Sequence, residues 1–382
     1  MNTTVSVLGS TGSVGRQTMD VAALHHLTVD GISGGNNIIL LEEQIRCFSP
    51  RLCAVANEEA AKKLKIAVSD TSTRILSGKE GILEVASSER PATVFNSIIG
   101  TAGLIPTLTA IRTGKNVALA NKETLVVAGE IVMREAKEHG VNVLPVDSEH
   151  CAIFQCLHGE NHTRVKRLYL TCSGGAFYGK TRSELYDMTP KEALAHPTWN
   201  MGQKITVDCA TLMNKGLELI EAVRLFDVTP DQVEVLIHRE SIVHSMVEFV
   251  DNAVMAQLSV PDMRLCIQYA LTYPDRLPSC IGELDLLLHN HLTFAAPDTK
   301  IFPLLALAKE AVARGGVTPA VLNGANEAAV SAFLKGDIRF GQIDELVTSA
   351  VANAPHIATP TLDDHIEADI LGREYVTRAL SV

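Results

Sequence analysis

No stretch of this chain approaches the ~18 consecutive apolar residues that a membrane span requires. The longest, around Leu284–Leu288 and Ile301–Ala308, are interrupted by polar residues or Pro. A basic excess is missing too. Lys and Arg number 33 against 44 Asp and Glu, a net charge of -11. Such a field repels phosphodiester backbones and anionic lipid, so nucleic-acid and membrane-surface binders are disfavoured. The 8 cysteines include no C-x-x-C pair and no four-ligand spacing, which argues against a zinc site and for reduced, mostly buried thiols. Internal repeats and low-complexity tracts are absent. Met1-Asn2-Thr3-Thr4 runs straight into Val5-Ser6-Val7-Leu8 without a basic, an apolar or a cleavage region, so the expected location is cytoplasmic. What remains is an acidic, well-packed chain of 382 residues, long enough for roughly two or three domains.

The first third alternates β-branched runs with helix-like segments. Val5–Leu8, Thr28–Ile32, Leu52–Ala56, Arg74–Leu76, Thr93–Asn96, Asn116–Ala118 and Asn142–Pro145 read as strands. Gly15–Ala23, Ile38–Cys47, Glu58–Leu64, Leu104–Arg112 and Glu123–His139 read as helices between them. This alternation predicts an α/β fold, with a Rossmann-like parallel sheet covered by helices on both faces. After Pro145 the pattern becomes α+β. Val165–Thr171, Val233–Ile237, Val243–Phe249 and Ala253–Leu258 read as strands, the last two a hairpin across Val250-Asp251-Asn252. Ser279–Pro303 is irregular and reads as a linker. Ala-rich helices follow at Leu304–Arg314, Pro319–Leu334, Gln342–Ala354 and Leu362–Leu380. The expected division is a nucleotide-binding domain over 1–146, a catalytic domain over 147–278, a linker over 279–303 and a helical domain over 304–382.

Gly9-Ser10-Thr11-Gly12-Ser13-Val14-Gly15 follows the first strand and opens the first helix. Glycines there let the backbone approach a pyrophosphate, whose charge rests on free N–H groups at the helix start. The alternative is a plain strand–helix turn; the surrounding βα alternation favours the dinucleotide. At the end of the second strand stands Ser33-Gly34-Gly35-Asn36-Asn37, without the acid that reads a ribose 2′-hydroxyl; Asp30 lies too early. No Arg or Lys is offered to a 2′-phosphate either, so NADP over NAD is a lean. Asp147-Ser148-Glu149 ends the Val141–Val146 run. Read as extended, it projects both carboxylates to one side, a donor set for Mg²⁺ or Mn²⁺; the alternative is a solvated acidic loop. In Asn214-Lys215-Gly216-Leu217-Glu218, Asn214 reads as a helix cap, with Glu218 one turn on as a further ligand and Lys215 suited to phosphate. The alternative there is an ordinary capped surface helix. Ser173-Gly174-Gly175 offers a hydroxyl and free N–H groups to another anion. His196-Pro197-Thr198-Trp199-Asn200-Met201-Gly202 holds the single Trp, either a lid or a core anchor. His238 reads as structural; His244 stays open.

These motifs, with Ala120-Asn121-Lys122-Glu123, Val146-Asp147-Ser148-Glu149-His150 and Leu322-Asn323-Gly324-Ala325-Asn326-Glu327, resemble the 1-deoxy-D-xylulose 5-phosphate reductoisomerases over effectively the whole chain. The resemblance implies an NADPH-dependent enzyme of the non-mevalonate isoprenoid route that rearranges and reduces a small phosphorylated ketose to 2-C-methyl-D-erythritol 4-phosphate. Asp147, Glu149 and Glu218 would hold Mg²⁺ or Mn²⁺ and, with Lys122 and His196, serve catalysis. Ser148, Glu149, Ser173, His196, Trp199, Cys209, Asn214, Lys215 and Glu218 would bind substrate, with His196 and Trp199 on a closing loop. Thr11, Gly12, Ser13, Val14, Gly35, Asn36, Asn37, Asn121, Lys122, Glu123 and Gly202 would line the cofactor. A homodimer is implied as well. Two positions depart from the family pattern: Cys209 in Val207-Asp208-Cys209-Ala210-Thr211 stands where a Ser is usual, and Asn36 where a basic residue is frequent.

Two other readings compete. An ordinary two-domain dehydrogenase explains the glycine turn but leaves Asp147, Glu149 and Glu218 without a joint role. A redox-sensing module that binds NADPH without chemistry usually carries a basic DNA-reading element, and none is visible here.

Overall fold

The computed structural model describes residues 4–195 and 201–381. The chain divides into two compact units. The first comprises Met1–Thr124, Glu130–Cys151 and Asp262–Gly282; the second comprises Leu125–Gly129, Ala152–Pro261 and Glu283–Val382.

The chain begins with β1 (Thr4–Leu8), α1 (Ser13–Leu24), β2 (Thr28–Ser33), α2 (Ile38–Phe48), β3 (Leu52–Val55), α3 (Glu58–Ala67) and β4 (Arg74–Ser77). It continues with α4 (Gly78–Ala86), β5 (Thr93–Asn96), α5 (Leu104–Arg112), β6 (Asn116–Leu119), α6 (Lys122–His139), β7 (Val143–Pro145) and α7 (Ser148–Cys156). The seven strands form one parallel sheet in the order β4-β3-β2-β1-β5-β6-β7. β3 and β5 are buried at every residue, as strands covered on both faces must be, and this accounts for the unbroken apolar character of β3. The order reverses at β1, whose neighbours β2 and β5 lead away in opposite directions. Such a reversal leaves a crevice at the carboxyl end of the strand, and Gly9 to Gly15 occupies that end of β1.

Two helices here differ from the sequence reading. α4 had no expected counterpart; it opens on Gly78 directly after β4 and runs for 9 residues. α7 begins at Ser148, so Asp147-Ser148-Glu149 is the start of a helix and not an extended segment.

The second unit contains β8 (Val165–Cys172), two short helices, α8 (Arg182–Leu185) and α9 (Pro190–Ala193), then α10 (Gln203–Ala210), α11 (Met213–Phe226), β9 (Val233–Ile237), β10 (Val243–Phe249) and β11 (Val254–Leu258). Its sheet has the order β11-β10-β8-β9. β10 is antiparallel to β11 and β8, whereas β8 and β9 run parallel. α12 (Met263–Thr272) returns to the first unit and packs on α1, β6 and β7. It buries Cys266, Ile267, Tyr269, Ala270 and Leu271 there. The sequence reading had grouped this segment with the catalytic region. Residues 279–302 form no helix or strand beyond a bridge from Ala295 to Ile237.

The second unit closes with α13 (Pro303–Arg314), α14 (Thr318–Lys335), α15 (Phe340–Ala352) and α16 (Leu362–Ala379). α14 packs against α13, α15, α16 and α10, and α13 packs against α11. None of the eight cysteines forms a disulfide among the described residues: Cys53, Cys151, Cys156 and Cys266 are buried, Cys172 and Cys209 partly so, and Cys47 and Cys280 are exposed. Burial of the thiols is therefore less general than their scatter suggested. Among the described residues no helix is long and apolar enough to cross a membrane.

Candidate active site

In the first unit the glycine turn is shaped by backbone bonds together with a few buried side chains. The Gly12 N–H donates to the Gly9 carbonyl at 3.0 Å, and the Ser10 N–H to the Ser33 carbonyl at 2.8 Å. Buried Ser10 is fixed further by Gln44, which accepts from its hydroxyl at 2.7 Å and donates to its carbonyl at 2.9 Å. A Cβ at Gly15 would lie 2.1 Å from the Gly9 carbonyl oxygen, so helix and turn close up only with glycine there. Gly12 occupies the cap position of α1 with no side-chain cap, and the first turn carries no acid. Thr11, Gly12 and Val14 are half-buried and Ser13 is exposed. The result is a bare, positive helix terminus at the sheet's reversal point, which fits a pyrophosphate.

Gly35, Asn36 and Asn37 lie exposed beyond β2. Asn37 caps α2 by accepting the Leu40 N–H at 3.2 Å, and Asn36 accepts from Asn57 at 3.2 Å. Asp30 is buried and takes Ser88 at 2.6 Å and Arg51 at 3.3 Å, a structural assignment that agrees with its early place in the strand.

Asn121, Lys122 and Glu123 are buried at the start of α6. The Asn121 carbonyl oxygen caps the helix through the Thr124 N–H at 3.0 Å, and its amide donates to the Ile98 and Gly100 carbonyls and to Glu123. Lys122 Nζ pairs with Asp147 at 2.7 Å. Asp147 stands just before α7, where its carboxylate accepts the Glu149 N–H at 3.3 Å and its carbonyl the Cys151 N–H at 2.8 Å. His150 Nδ1 approaches Asp147 at 3.3 Å, and Ser148 donates to Glu149 at 2.5 Å. Residues i and i+2 within one helix do not face each other. Because Asp147 is outside the helix and Glu149 inside it, their oxygens nonetheless come within 4.8 Å. Paired oxygen donors of this kind suit a hard divalent cation.

In the second unit Ser173 is buried after β8, and its hydroxyl accepts the Gly175 N–H at 3.2 Å. Arg239, which the sequence reading did not single out, donates to the Ser173 carbonyl at 2.8 Å and the Gly175 carbonyl at 3.3 Å. Gly202 is exposed and caps α10, and half-buried Cys209 lies near its end.

Asn214 does not cap α11. Leu212 takes the cap position in a left-handed conformation, φ 59°, and Asn214 is the second residue of the helix. Its amide donates instead to Glu218 at 2.5 Å, while Lys215 pairs with the other carboxylate oxygen. All three side chains are at least nine-tenths buried, so their charges are mutually compensated. His244 is buried and its Nε2 meets the Ser259 carbonyl at 3.2 Å. Burial foremost pushes its imidazole down to about 4, so it is neutral at pH 7. His238 accepts the N–H groups of Ile242 and Val243 at 3.2 and 3.1 Å, in keeping with its structural reading. His196 and Trp199 lie outside the described residues.

Known proteins are similar to this chain along nearly its whole length. The family model described as 1-deoxy-D-xylulose 5-phosphate reductoisomerase matches residues 5–129, its C-terminal domain model matches 143–226, and a second C-terminal domain model matches 258–375. The reductoisomerase of Acetivibrio thermocellus is 52% identical over 372 residues, covering 97% of this chain and 98% of the relative. One from Bacillus anthracis is 48% identical over 378 residues, 98% of each. Among solved structures, 1-deoxy-D-xylulose 5-phosphate reductoisomerase from Zymomonas mobilis in complex with NADPH gives a TM-score of 0.94 at 38% identity, covering 100% of this chain and 99% of that one. A DOX-P reductoisomerase in complex with NADPH, fosmidomycin and magnesium gives 0.93 at 38%, covering 99% and 98%. Agreement of this extent, from β1 through α16, means that the chain belongs to the 1-deoxy-D-xylulose 5-phosphate reductoisomerase family.

Proposed function

We propose that this chain carries out the NADPH- and divalent-metal-dependent rearrangement and reduction of 1-deoxy-D-xylulose 5-phosphate to 2-C-methyl-D-erythritol 4-phosphate, a step toward isoprenoid precursors. The observation that carries the reading is its full-length agreement, at 38% identity and a TM-score of 0.94, with a reductoisomerase solved with NADPH. When bound, the cation supplies Lewis acidity at adjacent carbonyl and hydroxyl oxygens, and the nicotinamide supplies hydride.

The chain's own side chains do the rest. Asp147, Glu149 and Glu218 would hold Mg²⁺ or Mn²⁺; their all-oxygen chemistry supports this. Lys122 orients the Asp147 carboxylate through their ion pair. Ser148 hydrogen-bonds the substrate backbone. Ser173, Asn214 and Lys215 bind its phosphate, with Cys209 a weaker donor because a thiol replaces a hydroxyl. The N–H groups from Thr11 to Val14 bind the cofactor's pyrophosphate. Gly35, Asn36, Asn37, Asn121, Lys122, Glu123 and Gly202 line the remainder. His196 and Trp199 close over the substrate and exclude water from the rearranging intermediate. The division into a cofactor domain over 1–146, a catalytic domain over 147–278, a linker and a helical domain over 304–382 is a functional one. The enzyme works in the cytoplasm as a homodimer, without nucleic-acid or membrane partners.

The test is to incubate purified protein with the phosphorylated ketose, NADPH and Mg²⁺ and follow nicotinamide absorbance. Oxidation that requires both metal and substrate is expected; oxidation independent of either would refute the reading. The ratio of NADPH to NADH efficiency then measures how far Asn36 serves the 2′-phosphate.

A further inference from the structure

We propose that Asn326, in α14, is a positioning residue for the substrate-phosphate pocket and acts through Asp208 of α10. The proposal rests on the phosphate role assigned above to Ser173, Cys209, Asn214 and Lys215. α10 has only 8 residues, too few to hold a helical conformation or a place by itself. Its tertiary contacts therefore decide where Cys209 sits.

The anchor is a buried amide–carboxylate pair. Asp208 is 1% exposed and Asn326 is 0% exposed. Asn326 Nδ2 donates to Asp208 Oδ1 at 2.8 Å, and Lys204, one turn earlier in α10, reaches Oδ2 at 2.9 Å. Packing alone would be served as well by two apolar side chains; a directional, charge-assisted bond fixes orientation as well as proximity.

Two routes lead from Asp208 to the pocket. The first is steric. A Cβ at Gly175, where φ is +70°, would lie 2.3 Å from the Cys209 carbonyl oxygen. The loop bearing Ser173 thus rests directly on the last turn of α10 and must follow its movement. The second is a hydrogen-bond relay. Thr211 donates to the Asp208 carbonyl at 3.1 Å and accepts from the Met213 N–H at 3.3 Å, the residue before Asn214. A shift of α10 therefore displaces all the proposed phosphate contacts together, while the glycine turn of the first unit is untouched by either route.

The experiment uses the full chain with saturating NADPH and Mg²⁺. For Asn326→Ala, both the KM for the phosphorylated ketose and the inhibition constant of inorganic phosphate should rise on the order of tenfold, with kcat and the KM for NADPH within about twofold, the scale of one lost hydrogen bond to a charged group. Asn326→Asp, which sets two carboxylates face to face, should do worse. The exchange Asp208→Asn with Asn326→Asp restores an amide–carboxylate pair and should recover both constants. If Asn326→Ala does not fold, Asn326→Gln, which keeps the amide but displaces it, carries the same comparison. A fall in Tm with both constants unchanged would make Asn326 merely structural and overturn the proposal. Wild-type protein that neither turns over the ketose nor is inhibited by phosphate would instead show that the underlying functional reading is at fault.

Discussion

The two helix starts that would meet phosphate groups, those of α1 and α11, solve one problem by opposite means. At α1 the attraction comes from peptide N–H groups and the helix dipole, with no acidic side chain in the first turn. At α11 the cap is an apolar residue, and charge comes from side chains, Lys215 compensated by Glu218 and Glu218 held by Asn214. Backbone sites depend on conformation and so on glycine. Side-chain sites depend on buried charge balance and so on every partner being present. The first kind fails by steric intrusion, the second by removal of one member.

Four outcomes would break or sharpen this contrast. The largest is expected from Glu218→Gln. At limiting Mg²⁺ turnover should fall by roughly two to three orders of magnitude, partly restored by excess cation, the scale expected for loss of a charged ligand or key electrostatic group. Full activity at low metal would remove Glu218 from the ligand set. Gly15→Ala comes next. Its Cβ, 2.1 Å from the Gly9 carbonyl oxygen, should cost about 3 kcal/mol, read as a lower Tm and weaker NADPH binding. Inhibition by inorganic phosphate should be unaffected, and a change there would couple the two sites.

The third concerns pH. The imidazole of His244 sits at about 4 in the folded protein against about 6.5 when unfolded. Above pH 6.5 both states are neutral. As pH falls below 6.5 the unfolded chain takes up a proton that the folded chain refuses, so stability is lost through this window down to about 4. By pH 5 the loss should reach about 2 kcal/mol in denaturant titrations, and His244→Gln should flatten that slope. The smallest effect is expected from Cys209→Ser. Restoring a hydroxyl should lower the KM for the ketose a few-fold, about 1 kcal/mol; an unchanged KM would place Cys209 outside the phosphate contacts.

The same contrast explains what could be read in advance. The glycine turn was legible because a backbone requirement writes itself into consecutive residues. The central strands of the parallel sheet were recognisable for a similar reason: burial leaves short apolar runs such as Leu52–Val55 and the Val-Phe and Val-Ala-Leu cores of β5 and β6. At the carboxylates the local pattern misled. Asp147 follows β7 so closely that the strand seemed to continue, whereas its side chain turns back to accept the Glu149 N–H and starts a helix. Asn214 has every property of a cap, yet Leu212 occupies that place with φ 59°, a conformation that leucine's own preferences oppose. Asp208 and Asn326 are 118 positions apart, and no spacing rule joins them. Their pairing exists only once α10 and α14 have packed.

The composition of the first unit from separated segments has a consequence for the order of assembly. Its sheet can form once residue 151 has been made, but α12, which covers α1, β6 and β7, belongs to Asp262–Gly282. During synthesis at roughly 5–20 residues per second, the intervening stretch takes on the order of ten seconds to appear. Throughout that interval the nascent nucleotide-binding unit presents an uncovered apolar face to the cell. A folding chain of this design is thus most exposed to aggregation, and most in need of chaperone protection, after its sheet is complete and before its last helix arrives.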